Sequence, residues 1–323
     1  MQAPLTRRHF LAALCGGAGC LALSGCRSTG SAPAAPAAQT VIDTHTHFYD
    51  PTRSQGVPWP PRDDKLLYRT VLPQAYMALP TPQKVAGTVV VEASPWVEDN
   101  QWVLDLASRE RFIVGLVGNL PIGTKRFAGH LKRFAANRLF RGIRARDVNV
   151  SKLVADEACL ADLKLLSTQG LSLDLVGGLD VWPAAGRLAQ AIPDLRIVID
   201  HLPGVRIDGQ APPADWLREM RSAAQRPNVF AKVSGLVEGT GRTDGSAPAD
   251  VEFYRPVFDA IWESFGPDRL IYGSNWPVSE RFAPLSRVQQ IVSDYFVVKG
   301  QEATDNVFAK NASAVYRWVK RAR

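Results

Sequence analysis

From Thr40 onward, a short apolar run rich in β-branched residues recurs eight times. The runs are 40–48 (TVIDTHTHF), 87–94 (GTVVVEAS), 112–120 (FIVGLVGNL), 140–146 (FRGIRAR), 171–178 (LSLDLVGG), 196–204 (RIVIDHLPG), 228–236 (NVFAKVSGL) and 269–278 (RLIYGSNWPV). Helical spacing of apolar residues fills stretches between them, at 100–110, 126–137, 157–170, 184–192, 216–225 and 254–266. Strands alternating with helices through short connections must run parallel, because each helix carries the chain back to the start of the next strand. Eight strands in a chain of this length predict a closed (β/α)8 TIM barrel rather than an open doubly wound sheet, as one domain over 40–323. In such a barrel a site is built at the carboxyl ends of the strands.

The first 39 residues do not belong to that pattern. Residues 1–25 read as an export signal, with a short Gly-rich apolar stretch behind the basic pair Arg7-Arg8. The stretch is too short and too rich in glycine to span a membrane. Thr6-Arg7-Arg8-His9-Phe10-Leu11 reads as a twin-arginine signal. Leu23-Ser24-Gly25-Cys26 resembles the bacterial lipobox and predicts lipidation at Cys26, with uncleaved anchoring by the same segment as the alternative. Residues 26–39, small and rich in Ala and Pro, then form a flexible tether. The expected location is the periplasm, anchored to a membrane by lipid.

The formal net charge is +7, and loss of Arg7 and Arg8 with the signal lowers it by two. The charges are interleaved, with no basic run or aromatic-lined groove, which argues against a nucleic-acid partner. A small-molecule substrate is expected, and self-association is left open. Cys15, Cys20 and Cys26 lie in the leader or at its end, so Cys159 is left alone and no disulfide framework exists.

Of five histidines, His9 lies in the signal and His130 on a helical pattern; His45, His47 and His201 fall at strand ends. Strand alternation puts Asp43, His45 and His47 on one face. It adds Glu92, Arg144, Arg146, Asp174, Lys232, Ser234 and Asn275 as inward polar positions near the carboxyl ends. Three converging imidazoles favour a site over satisfied core groups. The long Pro-rich segment 50–70 follows the first strand, and Trp59, Arg62, Tyr68 and Arg69 read as a lid or a wall of that site. Asp200, of opposite parity to His201, is expected to face the helices.

VIDTHTHF (41–48), VVVEA (89–93), RGIRA (141–145), VIDHLPG (198–204), AKVSGL (231–236), PDRLIYGSNWPV (267–278) and NASAVY (311–316) resemble, in order and spacing, the amidohydrolase superfamily. The resemblance is to its amidohydrolase-related branch, which includes L-fuconolactonase-like sugar lactonases. It implies hydrolysis at the carboxyl end of the barrel, commonly with zinc or another divalent metal, although dependence on metal varies in that branch. His45, His47 and His201 are the implied metal ligands, a three-nitrogen set that leaves zinc a position for water.

The implied reaction is attack of water on a lactone carbonyl, with His45, His47, His201, Lys232 and Asn275 as catalytic candidates. Arg144 would hold a carboxylate or hydroxyl of the substrate, with Arg146, Glu92, Trp59 and Trp276 as further contacts. Lys232 has two readings: it polarises the carbonyl or shares the water, or it forms an ion pair with Glu92 or Asp174 inside the barrel. Glu92 could be a base, a metal-bridging group or that partner. Asp43 is expected to orient an imidazole. Two departures stand out. Family members carry aspartate where this chain has Asn275, and an amide cannot take up a proton as a carboxylate does. Asp174 stands where metal-rich branches have histidine. The rival readings are an impaired binding protein on the same barrel and a hydrolase or decarboxylase of another small carboxylated substrate.

Overall fold

The computed structural model describes residues 40–145 and 150–321. Eight parallel strands run in sequential order: β1 (Val41–Thr46), β2 (Val85–Val91), β3 (Ile113–Gly118), β4 (Phe140–Ala145), β5 (Ser172–Leu175), β6 (Arg196–Ile199), β7 (Val229–Val233) and β8 (Leu270–Tyr272). Between β8 and β1 the seam is made by few bonds: a parallel bridge joins Thr46 and Trp276, and the His47 N–H donates to the Trp276 carbonyl at 2.9 Å. The result is a nearly closed barrel ringed by helices, as the eightfold pattern predicts.

Each crossover helix buries one stripe against the sheet. In Phe127–Ala135 the stripe is Phe127, Leu131 and Phe134, at the i, i+4, i+7 spacing of one helix face. Asp156 caps Glu157–Thr168 by accepting from the backbone N–H groups of Ala158 and Cys159, satisfying donors the helix leaves orphaned. Cys159 is a buried thiol on that helix.

Inside the barrel a second apolar cluster forms from Ile42, Val89, Val91, Val114, Val117, Val198, Phe230 and Ile271. It is completed by Ala312, Val315 and Tyr316 of the helix Asn311–Tyr316. That terminal segment lies at the amino ends of the strands: Arg196, opening β6, donates to the Val315 carbonyl at 2.6 Å, and the Val319 N–H donates to Val114 near the start of β3. Each such side chain contributes about 1.5–3 kcal/mol when fully buried. The barrel floor is therefore apolar and sealed, and polar groups collect above it.

The last strands are shorter than the sequence pattern suggests. β6 ends at Ile199 rather than near 204, and β8 at Tyr272 rather than 278. Beyond them the chain leaves the extended conformation, with positive φ at His201 (64°), Leu202 (51°) and Asn275 (56°). Such backbone costs roughly 1–3 kcal/mol per residue and persists only where its surroundings impose it. Among the described residues no helix is long and apolar enough to cross a membrane.

Candidate active site

Alternation along β6 turns Val198 into the barrel, and Asp200 follows it two residues later. The left-handed turn at His201 then swings the next side chain toward the same side. Asp200 is accordingly fully buried in the barrel, 2.8 Å from the Lys232 Nζ and 3.6 Å from the His45 Nδ1. The expectation that Asp200 faces the helices is corrected: parity counted back from His201 failed because the strand has ended at Ile199 and His201 itself is left-handed. Gly235, after β7, makes room for this turn. Its φ is +71°, and a Cβ there would meet the His201 Cβ at 2.7 Å.

The rings of His45 and His201 lie 4.1 Å apart between centroids, and those of His45 and His47 lie 5.0 Å apart. A close approach behind them keeps His45 in place, since a Cβ on Gly273 would stand 2.7 Å from the His45 Cβ. His201 Nδ1 meets the Ser234 hydroxyl at 3.0 Å. His47 donates from Nδ1 to the Val91 carbonyl at 3.0 Å, because a carbonyl can only accept. Its Nε2 faces the Asn275 Oδ1, a second acceptor, at 3.3 Å, so the ring donates on both sides only when both nitrogens carry a proton.

Below the imidazoles, Lys232 is an ammonium shared by two carboxylates, with Asp174 at 3.0 Å and Asp200 at 2.8 Å, and it also touches His45 Nδ1 at 3.2 Å. Tyr316, rising from the floor, donates to Asp174 at 2.7 Å. Burial alone would strip Lys232 of its proton, but the two carboxylates outweigh it and hold its pKa above the ordinary lysine value. Burial would likewise raise Asp200, yet Lys232 and His45 pull it well below the usual carboxylate range. Burial pushes His201 down to about 4 and His45 well below the usual histidine range, helped in His45 by the positive field of its neighbours. At neutral pH the site is thus a pair of uncharged imidazoles over a fixed ammonium–carboxylate network.

Of the two partners considered for Lys232, the structure supplies Asp174 and not Glu92. Glu92 instead pairs with Arg144, whose Nε reaches its carboxylate at 2.8 Å and whose Nη2 donates to its backbone carbonyl at 2.7 Å. Burial works against the Arg144 charge, but Glu92 and Asp200 overcome it and raise its pKa. Arg144 nonetheless lines an open cavity of about 190 Å³ together with His47, Trp59, Ala93 and Val176. Trp59 meets His47 edge-on at 5.8 Å.

The segment 50–70 is tied to its surroundings at several points, and Trp59 is the residue it contributes to the cavity of about 190 Å³. Asp64 pairs with Arg281 at 2.6 Å, Arg69 pairs with Glu280, and Tyr49 donates to the Leu67 carbonyl at 2.8 Å.

Other expectations are revised or fall outside view. Trp276, a candidate substrate contact, is buried behind the strands against Phe48 and Tyr76, its indole N–H donating to Glu280, so it does not reach the cavity. Asp43 does not orient an imidazole: it accepts from the backbone N–H groups of His45 and Ser274 and from the Tyr76 hydroxyl, bracing β1 against the loop after β8. Arg146 and Cys26 lie outside the described residues.

Two acidic groups at the site escaped sequence reasoning. Asp200 was legible in the Val198–Asp200 alternation. Glu238 carries no such signal, because it sits on a 3-10 turn (Glu238–Thr240) beyond β7. It accepts from the Asn275 Nδ2 at 2.8 Å, and burial pushes its carboxyl up to about 7.

Among the described residues, His45, Asp200 and His201 each offer an atom within 4.8 Å of the others, a donor set able to hold a cation. His45 Nε2 is buried without a hydrogen-bond partner, the kind of orphan that a bound group would satisfy. This set differs from the three histidines implied by resemblance, with Asp200 standing where His47 was expected.

The family described as Amidohydrolase matches residues 42–318. An L-fucono-1,5-lactonase from Burkholderia ambifaria is 31% identical over 285 residues, spanning 85% of this chain and 95% of that protein. A second L-fucono-1,5-lactonase, from Burkholderia multivorans, is 27% identical over 259 residues, or 78% of this chain and 86% of its own. A crystal structure of an amidohydrolase from Burkholderia multivorans with bound zinc shares the fold, with a TM-score of 0.76 at 24% identity, covering 86% of this chain and 99% of that one. The barrel, its strand-end site and the match along nearly all of the described chain agree, and the protein belongs to the amidohydrolase family.

Proposed function

We propose that this chain hydrolyses a sugar lactone at the carboxyl end of its barrel. The observation that carries the reading is the cavity of about 190 Å³ at the strand ends, bounded by Arg144, His47 and Trp59. It suits one small cyclic molecule with hydroxyls for Arg144 and an apolar ring face for Trp59. The likeness to L-fucono-1,5-lactonases supports the substrate class.

In the reaction the water oxygen bonds to the lactone carbonyl carbon, the ring C–O bond breaks, and the ring oxygen leaves as an alcohol carrying a proton. The acid formed ionises and releases one proton to solvent. His45 and His201, uncharged at neutral pH, offer hydrogen-bonding positions to the water and the carbonyl oxygen, while Asp200 and Lys232 supply a fixed field beneath them. His45, Asp200 and His201 would hold a divalent metal such as zinc; when bound, it supplies carbonyl polarisation and a more acidic water. The test is proton release in a pH-stat over a panel of aldono- and uronolactones, corrected for spontaneous opening, before and after chelation. Saturable turnover on at least one sugar lactone is expected; no turnover on any of them removes the substrate class.

We also propose that the protein is exported and lipid-anchored, on the strength of Arg7-Arg8 and Leu23-Ser24-Gly25-Cys26. Metabolic labelling with a radioactive fatty acid should mark the wild type and not Cys26→Ala, and equal labelling of both would exclude the anchor.

A further inference from the structure

Asn275 stands just beyond β8 in a left-handed conformation, with its amide suspended between a residue just past β1 and one on the turn beyond β7. Its Oδ1 faces His47 Nε2 at 3.3 Å, and its Nδ2 donates to the Glu238 Oε1 at 2.8 Å. Above about pH 7 the Glu238 carboxylate is ionised and can only accept, so it dictates which end of the amide turns toward His47. Asparagine by itself would leave that choice open. Glu238 is half-buried and also lines an open cavity of about 510 Å³ with Gly204, Arg206 and Thr240, between the loops that follow β6 and β7. The negative charge near His47 is therefore delivered by the β7 loop, while a neutral amide occupies the β8 position that touches the histidine.

We propose that Glu238 and Asn275 act as one unit, in which Glu238 is a positioning residue that supplies the carboxylate and fixes the Asn275 amide oxygen toward His47. This deepens the lactone-hydrolase reading and, for its kinetic readout, rests on it. The unit carries one charge. Placing aspartate at 275 while Glu238 remains sets two carboxylates in contact, which disfavours the ionised pair. Moving the charge by exchanging the two residue types keeps one carboxylate, one amide and both side-chain lengths.

The experiment is a double-mutant cycle at pH 8 on Asn275→Asp, Glu238→Gln and the combined Asn275→Asp/Glu238→Gln protein, reading kcat and KM on a lactone and the thermal midpoint of each. Each single variant is expected to lose kcat about tenfold or more with KM little changed, and Asn275→Asp to lower the thermal midpoint. The exchange variant is expected to recover most of both losses. Losses that simply multiply in the exchange variant, or an Asn275→Asp protein that is faster and equally stable with Glu238 in place, would overturn the proposal. If wild type opens no lactone, the substrate reading fails while the midpoints still decide on the unit: recovery in the exchange variant supports it, and independent effects refute it.

Discussion

A single carboxylate at Asp200 decides whether the centre of the barrel is balanced. It lies against Lys232, His45 and the outer nitrogen of Arg144, which is 3.9 Å away; Asp200, Lys232 and His45 are fully buried, and of the four only Arg144 borders the open cavity. Removing one partner of a buried ion pair costs about 3–5 kcal/mol, because the other charge stays buried and unpaired. Asp174 still faces Lys232, so Asp200→Asn should lower stability by the low end of that range, about 3 kcal/mol, in urea unfolding. His201 gives a pH signature with a defined sign. Its pKa is about 4 when folded, against 6.5 for an ordinary histidine, so between these values the unfolded chain binds the extra proton. The contribution is full above pH 6.5 and is lost as pH falls toward 4. The slope of unfolding free energy against pH in that window should be shallower in His201→Asn than in wild type; identical slopes would show that His201 is not held neutral.

At the scale of elements, loops after the strands do work that the strands cannot. Gly235 is needed for the turn that lets His201 enter the site, since its positive φ and the 2.7 Å approach to the His201 Cβ leave no place for a side chain. Gly235→Ala should destabilise the fold by about 1–3 kcal/mol and displace His201, lowering kcat more than it raises KM. A kinetically silent alanine would show that the loop has another way to hold the imidazole. These loops also mark the boundary of what the sequence disclosed. His45, Arg144 and Lys232 were legible because regular alternation carries them inward. Asp200 was misread because its parity was counted from His201, whose positive φ breaks the alternation, and Glu238 went unseen because it lies on a 3-10 turn. Trp276 was misassigned for the same reason: beyond Tyr272 the residues no longer alternate, and its indole packs behind the barrel.

In the whole molecule, the eightfold repeat gave the architecture and the carboxyl-end location of the site. The floor was less visible. The motif Asn311–Tyr316 could be seen in the sequence, yet nothing in its spacing announced that Tyr316 would reach Asp174 through the apolar floor of the barrel. Deletion after Lys310 would expose the inner faces of Val114, Val198 and Phe230, and it should abolish cooperative unfolding; Tyr316→Phe should keep the fold while weakening the Asp174–Lys232 network. A truncated protein that still unfolds in one sharp transition would mean that the floor closes without its last helix.

The central claim is that this network, at this end of the barrel, opens lactones. The most direct measurement compares lactone-dependent proton release by wild type and Asp200→Asn, both confirmed folded by circular dichroism. Saturable release by wild type and a loss of at least about 100-fold in the variant are expected, a magnitude typical of removing preorganised electrostatic stabilisation. Equal rates in the two folded proteins would contradict the account.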